Sequence, residues 1–272
     1  MAEAAALDEP YSLSDYQRSF FTENGYVKLK AVFSAGELRR YRDVIAVEVD
    51  RRNTRSKPMA ERTTYEKAFL QVTNLWRTDD VVRELVFSRR LARLAAQLMG
   101  VCGVRLYHDQ ALCKEAGGGI TPWHADQFYW PLSSEHTCTA WIPLQKTDVE
   151  MGPMVFAARS HRFELGRDLE IGDESERLLS EVFAARRFPE DDGPYDMGDV
   201  SFHYGWTLHH TGPNQTSRPR SAMTIIYMED GMRLAPAQRR QHLADREAFM
   251  PGVEVGDVIK SPLNPVLWPQ RS

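Results

Sequence analysis

The first hundred residues show the apolar spacing of amphipathic helices, interrupted by short polar stretches. Two capping-box patterns, Ser14-x-x-Gln17 and Ser34-x-x-Glu37, mark where the first two helices should begin. The predicted elements are helices over 14–24, 34–52, 81–87 and 88–99, and a short strand over 26–29. Residues 1–11 are predicted to be disordered and 53–66 to form a loop, while 69–75 fit a strand or a short helix.

From residue 104 onward the pattern changes to short alternating or continuous apolar runs separated by turn residues. The predicted strands cover residues 104–114, 121–130, 137–143, 154–157, 200–209 and 222–228. Many short strands at close spacing are typical of a β-sandwich or jelly roll. A charged insert over 164–185 is predicted to be helical, and the polar tail after Gly231 is expected to wrap the surface. No repeat or linker divides the sequence, so we expect one domain over residues 1–272.

Composition narrows the class of protein. The 272 residues are 42% hydrophobic and carry a net charge of −4, which argues against nucleic acid or an anionic membrane as the main partner. No apolar run approaches the roughly 18 residues of a membrane span, and the first residues lack a secretory signal pattern. Three cysteines without C-x-x-C spacing predict no disulfide framework. We therefore expect a cytoplasmic protein, as a monomer or homodimer.

The main chemical signal lies in Trp123-His124-Ala125-Asp126, within the predicted strand 121–130. Side chains alternate along a strand, so His124 and Asp126 should point the same way and could bind one divalent metal ion. His209 would complete a set of two histidines and one carboxylate, the pattern of non-haem Fe(II) oxygenases. The spacing alone leaves open a buried, hydrogen-bonded pair of His124 and Asp126 without metal.

Two other histidines compete with His209. His210 is its neighbour and would face the opposite side of a strand, whereas Thr211 shares the parity of His209. His203 also has the right parity, but six residues at ~3.3 Å each put it about 20 Å from His209 along a straight strand. His203 is therefore predicted to be structural or to lie at a far rim.

Several further segments make the metal-binding pattern more specific. These are Trp123 to Asp126, Thr139-Ala140-Trp141, Ser160-His161, Gly198-Asp199, and His209-x-Thr211-x-x-Asn214 followed by Arg220. Over about residues 24–268 the chain resembles the phytanoyl-CoA dioxygenase family of Fe(II)/2-oxoglutarate-dependent oxygenases. The resemblance implies a mainly β (α+β) fold, in which a double-stranded β-helix (a cupin-like jelly roll) is flanked by N-terminal helices.

The resemblance also implies the cofactors and the main site residues. It predicts Fe(II) held by His124, Asp126 and His209, with 2-oxoglutarate and O2 as cosubstrates. Arg220 is the predicted anchor for the distal carboxylate of 2-oxoglutarate, because a guanidinium offers a rigid fork of two donors. Arg218 is a rival by proximity, although the following proline places it in a turn.

Other contacts are predicted around this core. The Thr211 hydroxyl should lie against 2-oxoglutarate, and the strand over 104–114 should contribute Gln110 or, as a second choice, His108. Trp141 fits either a contact with 2-oxoglutarate or core packing. Phe128 and Trp206 are the aromatic residues that we expect to line an apolar substrate pocket.

The implied reaction is oxidative decarboxylation of 2-oxoglutarate to succinate and CO2, coupled to attack on an unactivated C–H bond of a small metabolite. Hydroxylation in bacterial secondary metabolism, such as antibiotic biosynthesis, is the main expectation. Epimerisation, cyclisation and desaturation are alternative outcomes. Two other classes stay open: a cupin-like metal hydrolase or isomerase, which needs neither O2 nor 2-oxoglutarate, and a binding module without catalysis.

Overall fold

The computed structural model describes residues 7–186 and 188–269, and it shows two antiparallel sheets with helices packed outside them. The helices are α1 (Asp15–Asn24), α2 (Ala35–Arg51), α3 (Thr64–Ala68), α4 (Asp80–Val86), α5 (Arg89–Met99), α6 (Asp173–Arg186) and α7 (Arg240–Phe249). The strands are β1 (Tyr26–Leu29), β2 (Leu70–Thr73), β3 (Val104–Lys114), β4 (Thr121–His124), β5 (Thr137–Pro143), β6 (Met154–Ala157), β7 (Glu190–Asp191), β8 (Val200–Tyr204), β9 (His209–Thr211), β10 (Arg220–Glu229) and β11 (Val266–Trp268).

The larger sheet has the strand order β1-β8-β5-β10-β3-β11, and β2 also pairs with β3. The smaller sheet has the order β4-β9-β6-β7. In the centre of the larger sheet, Thr224 of β10 is in register with Trp141 of β5 and Gln110 of β3. Side chains of both sheets meet in the space between them, which is the arrangement of a jelly roll.

The two faces of the larger sheet have different neighbours because side chains alternate along each strand. In β10, Met223, Ile225 and Tyr227 pack into the largest apolar cluster, which also contains buried residues of α1, α2, α4 and α5. The intervening Thr224 faces the space between the sheets. The helices thus cover one face of the larger sheet and leave the other face for the site.

Sequence signals at the helix ends behave as predicted. Both capping boxes form, with the Ser14 and Ser34 hydroxyls accepting from the backbone N–H three residues later. Gly25 and Gly100 end α1 and α5 in the left-handed conformation that favours glycine. The predicted strands over 26–29, 104–114, 137–143 and 154–157 are confirmed.

Other expectations need correction. Residues 1–6 lie outside the described residues, but Leu7 is buried and its carbonyl accepts a hydrogen bond from Ser88, so residues 7–11 are not a disordered segment. The predicted loop over 53–66 contains a short 3-10 turn and the start of α3. The polar tail contains α7, a helix in which only His242 and Phe249 are buried.

No helix in the described part of the chain is both long enough and apolar enough to cross a membrane.

Candidate metal centre and cosubstrate site

The metal-binding group lies where β4 and β9 run side by side in the smaller sheet. His124 is in register with His209, and the centroids of their rings are 4.2 Å apart. The strand predicted over 121–130 ends at His124, and Asp126 begins a 3-10 turn that extends to Tyr129. Asp126 therefore reaches the two histidines from a helical turn. The prediction that His124 and Asp126 lie together is correct, but strand alternation is not what brings them together.

The three side chains converge on one small volume. The Nε2 atoms of His124 and His209 each lie 3.7 Å from Oδ1 of Asp126. One ligand atom from each residue lies within 4.8 Å of the other two. The opposite ring nitrogens, both Nδ1, hydrogen-bond the carbonyls of Pro122 at 2.8 Å and Thr207 at 2.9 Å. These bonds place the proton on Nδ1 and leave the Nε2 lone pair free to bind a metal.

Burial sets the charge of this group. It lowers the pKa of His124 and of His209, each to about 4, so both imidazoles are neutral at neutral pH. Burial alone would raise the pKa of Asp126, but His209 and a hydrogen bond from His203 hold it well below its usual range. Two neutral imidazoles and one carboxylate form the donor set that suits a non-haem Fe(II) ion.

His203 is the largest departure from the prediction. β8 ends at Tyr204 and the chain turns before β9 begins in the other sheet, so the straight-strand distance of about 20 Å to His209 is wrong. Instead, His203 Nε2 donates a 3.2 Å hydrogen bond to Oδ2 of Asp126, and the Thr139 hydroxyl donates to the same oxygen at 3.0 Å. These two donors fix Asp126 and leave its Oδ1 facing the histidines.

The turn that misled the prediction contains Gly205. A Cβ at this position would lie 2.3 Å from Oε1 of Gln127, 2.5 Å from Oγ1 of Thr137 and 2.9 Å from the Trp130 ring, so a larger residue would displace all three buried side chains. A glycine inside a predicted strand often marks such a break in the strand. This signal could have shown that residues 200–209 form two strands.

Arg220 begins β10 and lies on the side of the metal-binding group away from solvent. The residue is 1% exposed, and its guanidinium carbon lies 5.5 Å from the Trp141 ring centroid. Among the described residues, no carboxylate forms an ion pair with it and no acceptor bonds its Nε. Burial lowers the pKa of Arg220 to about 10, so it stays charged at neutral pH. A buried, unpaired guanidinium is costly unless an anionic ligand neutralises it.

Arg220 lines a cavity of about 50 Å³ between the two sheets, called the inner cavity below. The predicted residues Gln110, Trp141 and Thr211 line it as well, together with the three metal-binding residues. Arg218, the rival of Arg220, is exposed and lies outside this lining.

Lys114 is a candidate that the sequence-based site prediction missed. It ends β3 directly opposite Arg220, and it is fully buried. Its Nζ donates to the Gly119 carbonyl and lies 3.4 Å from the Thr121 hydroxyl, which accepts from Thr211 at 2.9 Å. Burial, and secondarily repulsion by Arg220, lower the pKa of Lys114 to about 6. The signal for it is its place on the same face of β3 as Gln110.

A second, larger cavity of about 680 Å³ opens on the other side of the metal-binding group and is called the outer cavity below. Four residues line both cavities. They are Phe69, Gln110, His124 and Asp126. His108 lies in the outer cavity, where its ring stacks on Phe249 at 4.0 Å. The structure therefore places His108 away from the inner cavity in which a contact with 2-oxoglutarate was predicted.

The two predicted substrate-pocket residues line neither the inner nor the outer cavity. Phe128 and Trp206 border a separate cavity of about 280 Å³, where Phe128 stacks under Arg239. For Phe128 the reason is the 3-10 turn that begins at Asp126 and replaces the side-to-side alternation of a strand. Trp206 lies in the turn between β8 and β9, where no strand alternation applies. Tyr129 and Trp130, the next two residues, line the outer cavity instead.

Comparison with known proteins gives a consistent result. Residues 21–222 match the family described as phytanoyl-CoA dioxygenase (PhyH). The chain is 26% identical over 225 residues to a probable alpha-ketoglutarate-dependent hypophosphite dioxygenase of Stutzerimonas stutzeri, covering 78% of this chain and 77% of that protein.

Two solved structures extend the likeness over nearly the whole chain. The epimerase SnoN, in complex with Fe3+, alpha ketoglutarate and nogalamycin RO, is 26% identical with a TM-score of 0.76, covering 97% of this chain and 99% of the other. The alpha ketoglutarate-dependent carbocyclase SnoK from nogalamycin biosynthesis is also 26% identical, with a TM-score of 0.75, covering 95% of this chain and 99% of the other.

Proposed function

The chain belongs to the phytanoyl-CoA dioxygenase family and is an Fe(II)/2-oxoglutarate-dependent dioxygenase, and from that premise we propose which residues do the work. His124, Asp126 and His209 hold the Fe(II), and Arg220 anchors the 2-oxoglutarate. The observation that carries this proposal is that one ligand atom from each of these three residues converges on one point. The two imidazoles use Nδ1 for backbone hydrogen bonds, which leaves Nε2 free to bind the metal. Bound there, Fe(II) supplies the activation of O2 that 2-oxoglutarate oxidation requires.

The residues around the metal position bind and orient the cosubstrate. The Arg220 guanidinium gives two parallel donors to the distal carboxylate of 2-oxoglutarate. The Thr211 hydroxyl lies in the same cavity, and the ring of Trp141 forms one wall beside the guanidinium. His203 and Thr139 hold the Asp126 carboxylate in one orientation, so the metal geometry does not depend on a mobile side chain.

The substrate is a small metabolite that enters from the outer cavity, which shares His124 and Asp126 with the inner one. Hydroxylation of an unactivated C–H bond in secondary metabolism is the outcome we propose. Epimerisation, cyclisation and desaturation are alternatives. The likeness to an epimerase and to a carbocyclase from nogalamycin biosynthesis supports epimerisation and cyclisation as alternatives. We retain the expectation of one domain over residues 1–272 that acts in the cytoplasm as a monomer or homodimer.

Succinate formation tests the proposal. Protein purified without oxygen is given Fe(II), 2-oxoglutarate and O2, beside His124→Ala and the control His136→Ala, which changes an exposed histidine bonded to Glu229. We expect slow succinate release from the unaltered protein and the control, and loss of both iron and turnover in His124→Ala. Turnover that needs neither O2 nor 2-oxoglutarate would instead identify a hydrolase or isomerase, and iron retained by His124→Ala would contradict the ligand set.

A further inference from the structure

The outer cavity has a distinct chemical character. Five aromatic rings line it, with one carboxylate of the metal group at its base and two others in its walls. The rings are Tyr65, Phe69, Tyr129, Trp130 and Phe249. The two further carboxylates are Asp245 and Glu170. No lysine or arginine occurs among the described residues that line the cavity. Aromatic faces and carboxylates together are the groups that recognise organic cations.

Asp245 is the more enclosed of the two carboxylates. It lies on α7, and its Oδ2 accepts a hydrogen bond from the buried Tyr107 hydroxyl on β3. Among the described residues, no cationic side chain forms an ion pair with it. Burial raises the pKa of Asp245 to about 7, and the nearby Asp126 carboxylate adds to the rise. A carboxyl group in this position is stabilised in its charged form by a cation from outside the protein.

Glu170 lies nearer to solvent. Its side chain is about half exposed, and Arg240 approaches it at 3.7 Å from the outer surface of α7. This is an ion pair at the protein surface: Arg240 is 84% exposed and does not line the cavity, but it partly compensates the charge of Glu170. Of the two wall carboxylates, Asp245 is therefore the one without a cationic partner among the described residues.

An anionic substrate in the outer cavity would be repelled by these carboxylates, and no lysine or arginine among the described lining residues would attract it. The metal centre offers little compensation, because Fe(II), Asp126 and the 2-oxoglutarate dianion together carry no net positive charge. One relative of this chain is a probable hypophosphite dioxygenase, whose named substrate is a small phosphorus oxyanion. The lining of the outer cavity does not suit such a molecule, and its volume of about 680 Å³ is far larger than a hypophosphite ion needs.

We infer that the outer cavity takes a metabolite with a protonated amine attached to an aromatic or otherwise planar ring system, and that Asp245 binds the ammonium group. The aromatic walls hold the ring system, and like charge excludes phosphorus oxyanions. The inference deepens the proposed function, since the role of this cavity as the substrate site rests on the metal-binding group beside it.

Three indole compounds of nearly equal shape test the inference: tryptamine (cationic), tryptophol (neutral) and indole-3-propionate (anionic), together with methylphosphonate. Each is titrated calorimetrically, without oxygen, into protein loaded with Fe(II) and 2-oxoglutarate. We expect tryptamine to bind about tenfold more tightly than tryptophol, because a charge-assisted hydrogen bond exceeds a neutral one by about 1.4 kcal/mol. The two anions should bind more weakly than tryptophol.

Asp245→Asn should weaken tryptamine about tenfold, to the level of tryptophol, and leave tryptophol within about twofold. Glu247→Gln is the matched control, since it neutralises an exposed carboxylate on the same helix. Circular dichroism verifies that each variant is folded. If Asp245→Asn does not fold, the relative affinities of the four probes for the unaltered protein still test the charge preference of the outer cavity.

The inference is overturned if either anion binds as tightly as tryptamine, if none of the four probes binds, or if folded Asp245→Asn keeps the preference. A separate titration with 2-oxoglutarate shows whether the proposed function itself fails. The probe order is also measured without 2-oxoglutarate, so the charge preference of the outer cavity is decided even if the cosubstrate does not bind.

Discussion

The inner and outer cavities share four residues at the metal-binding group, yet they differ in charge and size. The inner cavity, of about 50 Å³, is lined by the charged Arg220, and a second buried basic residue, Lys114, lies directly opposite that arginine. The outer cavity, of about 680 Å³, has aromatic walls and the carboxylates of Asp245 and Glu170, with no lysine or arginine among its described lining residues. Positive charge thus lies on one side of the metal position and negative charge on the other.

The difference in charge favours a different kind of ligand in each cavity. In the function proposed above, a dianion such as 2-oxoglutarate is attracted to Arg220 in the inner cavity and repelled by the carboxylates of the outer one. The outer cavity stays open for a substrate of the opposite charge. The outer cavity also offers more than ten times the volume of the inner one, so it has room for a larger ligand.

The largest expected effect comes from removing the charge of the inner cavity. Arg220→Ala should weaken 2-oxoglutarate binding by about 100-fold, because breaking a buried, hydrogen-bonded charge pair costs about 2–5 kcal/mol. The iron content should stay near normal, since Arg220 is not one of the three converging ligands. Calorimetric titration of 2-oxoglutarate, with iron measured on the same sample, gives both values.

Arg220→Lys is the matched variant for this prediction. It keeps the charge but loses the two-donor fork, so we expect an affinity between that of the unaltered protein and that of Arg220→Ala. An unchanged affinity in Arg220→Ala would move the anchoring role to Lys114 and would remove the basis for the cationic inner cavity.

Lys114→Met should have a smaller effect, about tenfold on 2-oxoglutarate affinity, because its Nζ already has partners in Gly119 and Thr121. The pKa of Lys114 is lowered to about 6, so it is mostly neutral at pH 8 before the cosubstrate binds. An arriving carboxylate favours the charged form and raises this pKa. Binding therefore takes up a proton, and affinity should fall as pH rises from 6 to 8.

Calorimetry in two buffers of different ionisation enthalpy measures this proton uptake directly. Lys114→Met should abolish it, whereas Arg220→Lys should preserve it. If Lys114→Met keeps the same proton uptake, another group is titrating, and Lys114 contributes to the inner cavity only through packing.

The inner cavity was easier to predict from the sequence than the outer one. Three of its residues, His209, Thr211 and Arg220, lie within twelve positions of one another, so a local pattern identifies them. Lys114 was missed because its importance depends on the register of β3 and β10, which places it opposite Arg220. The register of these two strands cannot be predicted from the sequence alone.

Most of the outer cavity could not be predicted, because its walls come from segments that are distant in sequence. Tyr65 and Phe69 come from α3 and its C-terminal end, and Asp245 and Phe249 come from α7. α7 buries only two residues, so its apolar pattern is too weak to reveal a helix. The wrong placement of Phe128 has a local cause, the 3-10 turn that follows the metal motif.

The smallest expected effect lies at the mouth of the outer cavity. Glu170→Gln should weaken tryptamine by no more than about twofold, because an exposed carboxylate is screened by water and salt. The effect should shrink further when the titration is repeated at high salt, whereas the effect of Asp245→Asn should persist because that side chain is enclosed. A loss in Glu170→Gln as large as in Asp245→Asn would show that the whole negative surface, and not one enclosed carboxylate, selects the cation. The contrast between the two cavities would then be one of long-range field, with no specific ion pair on the substrate side.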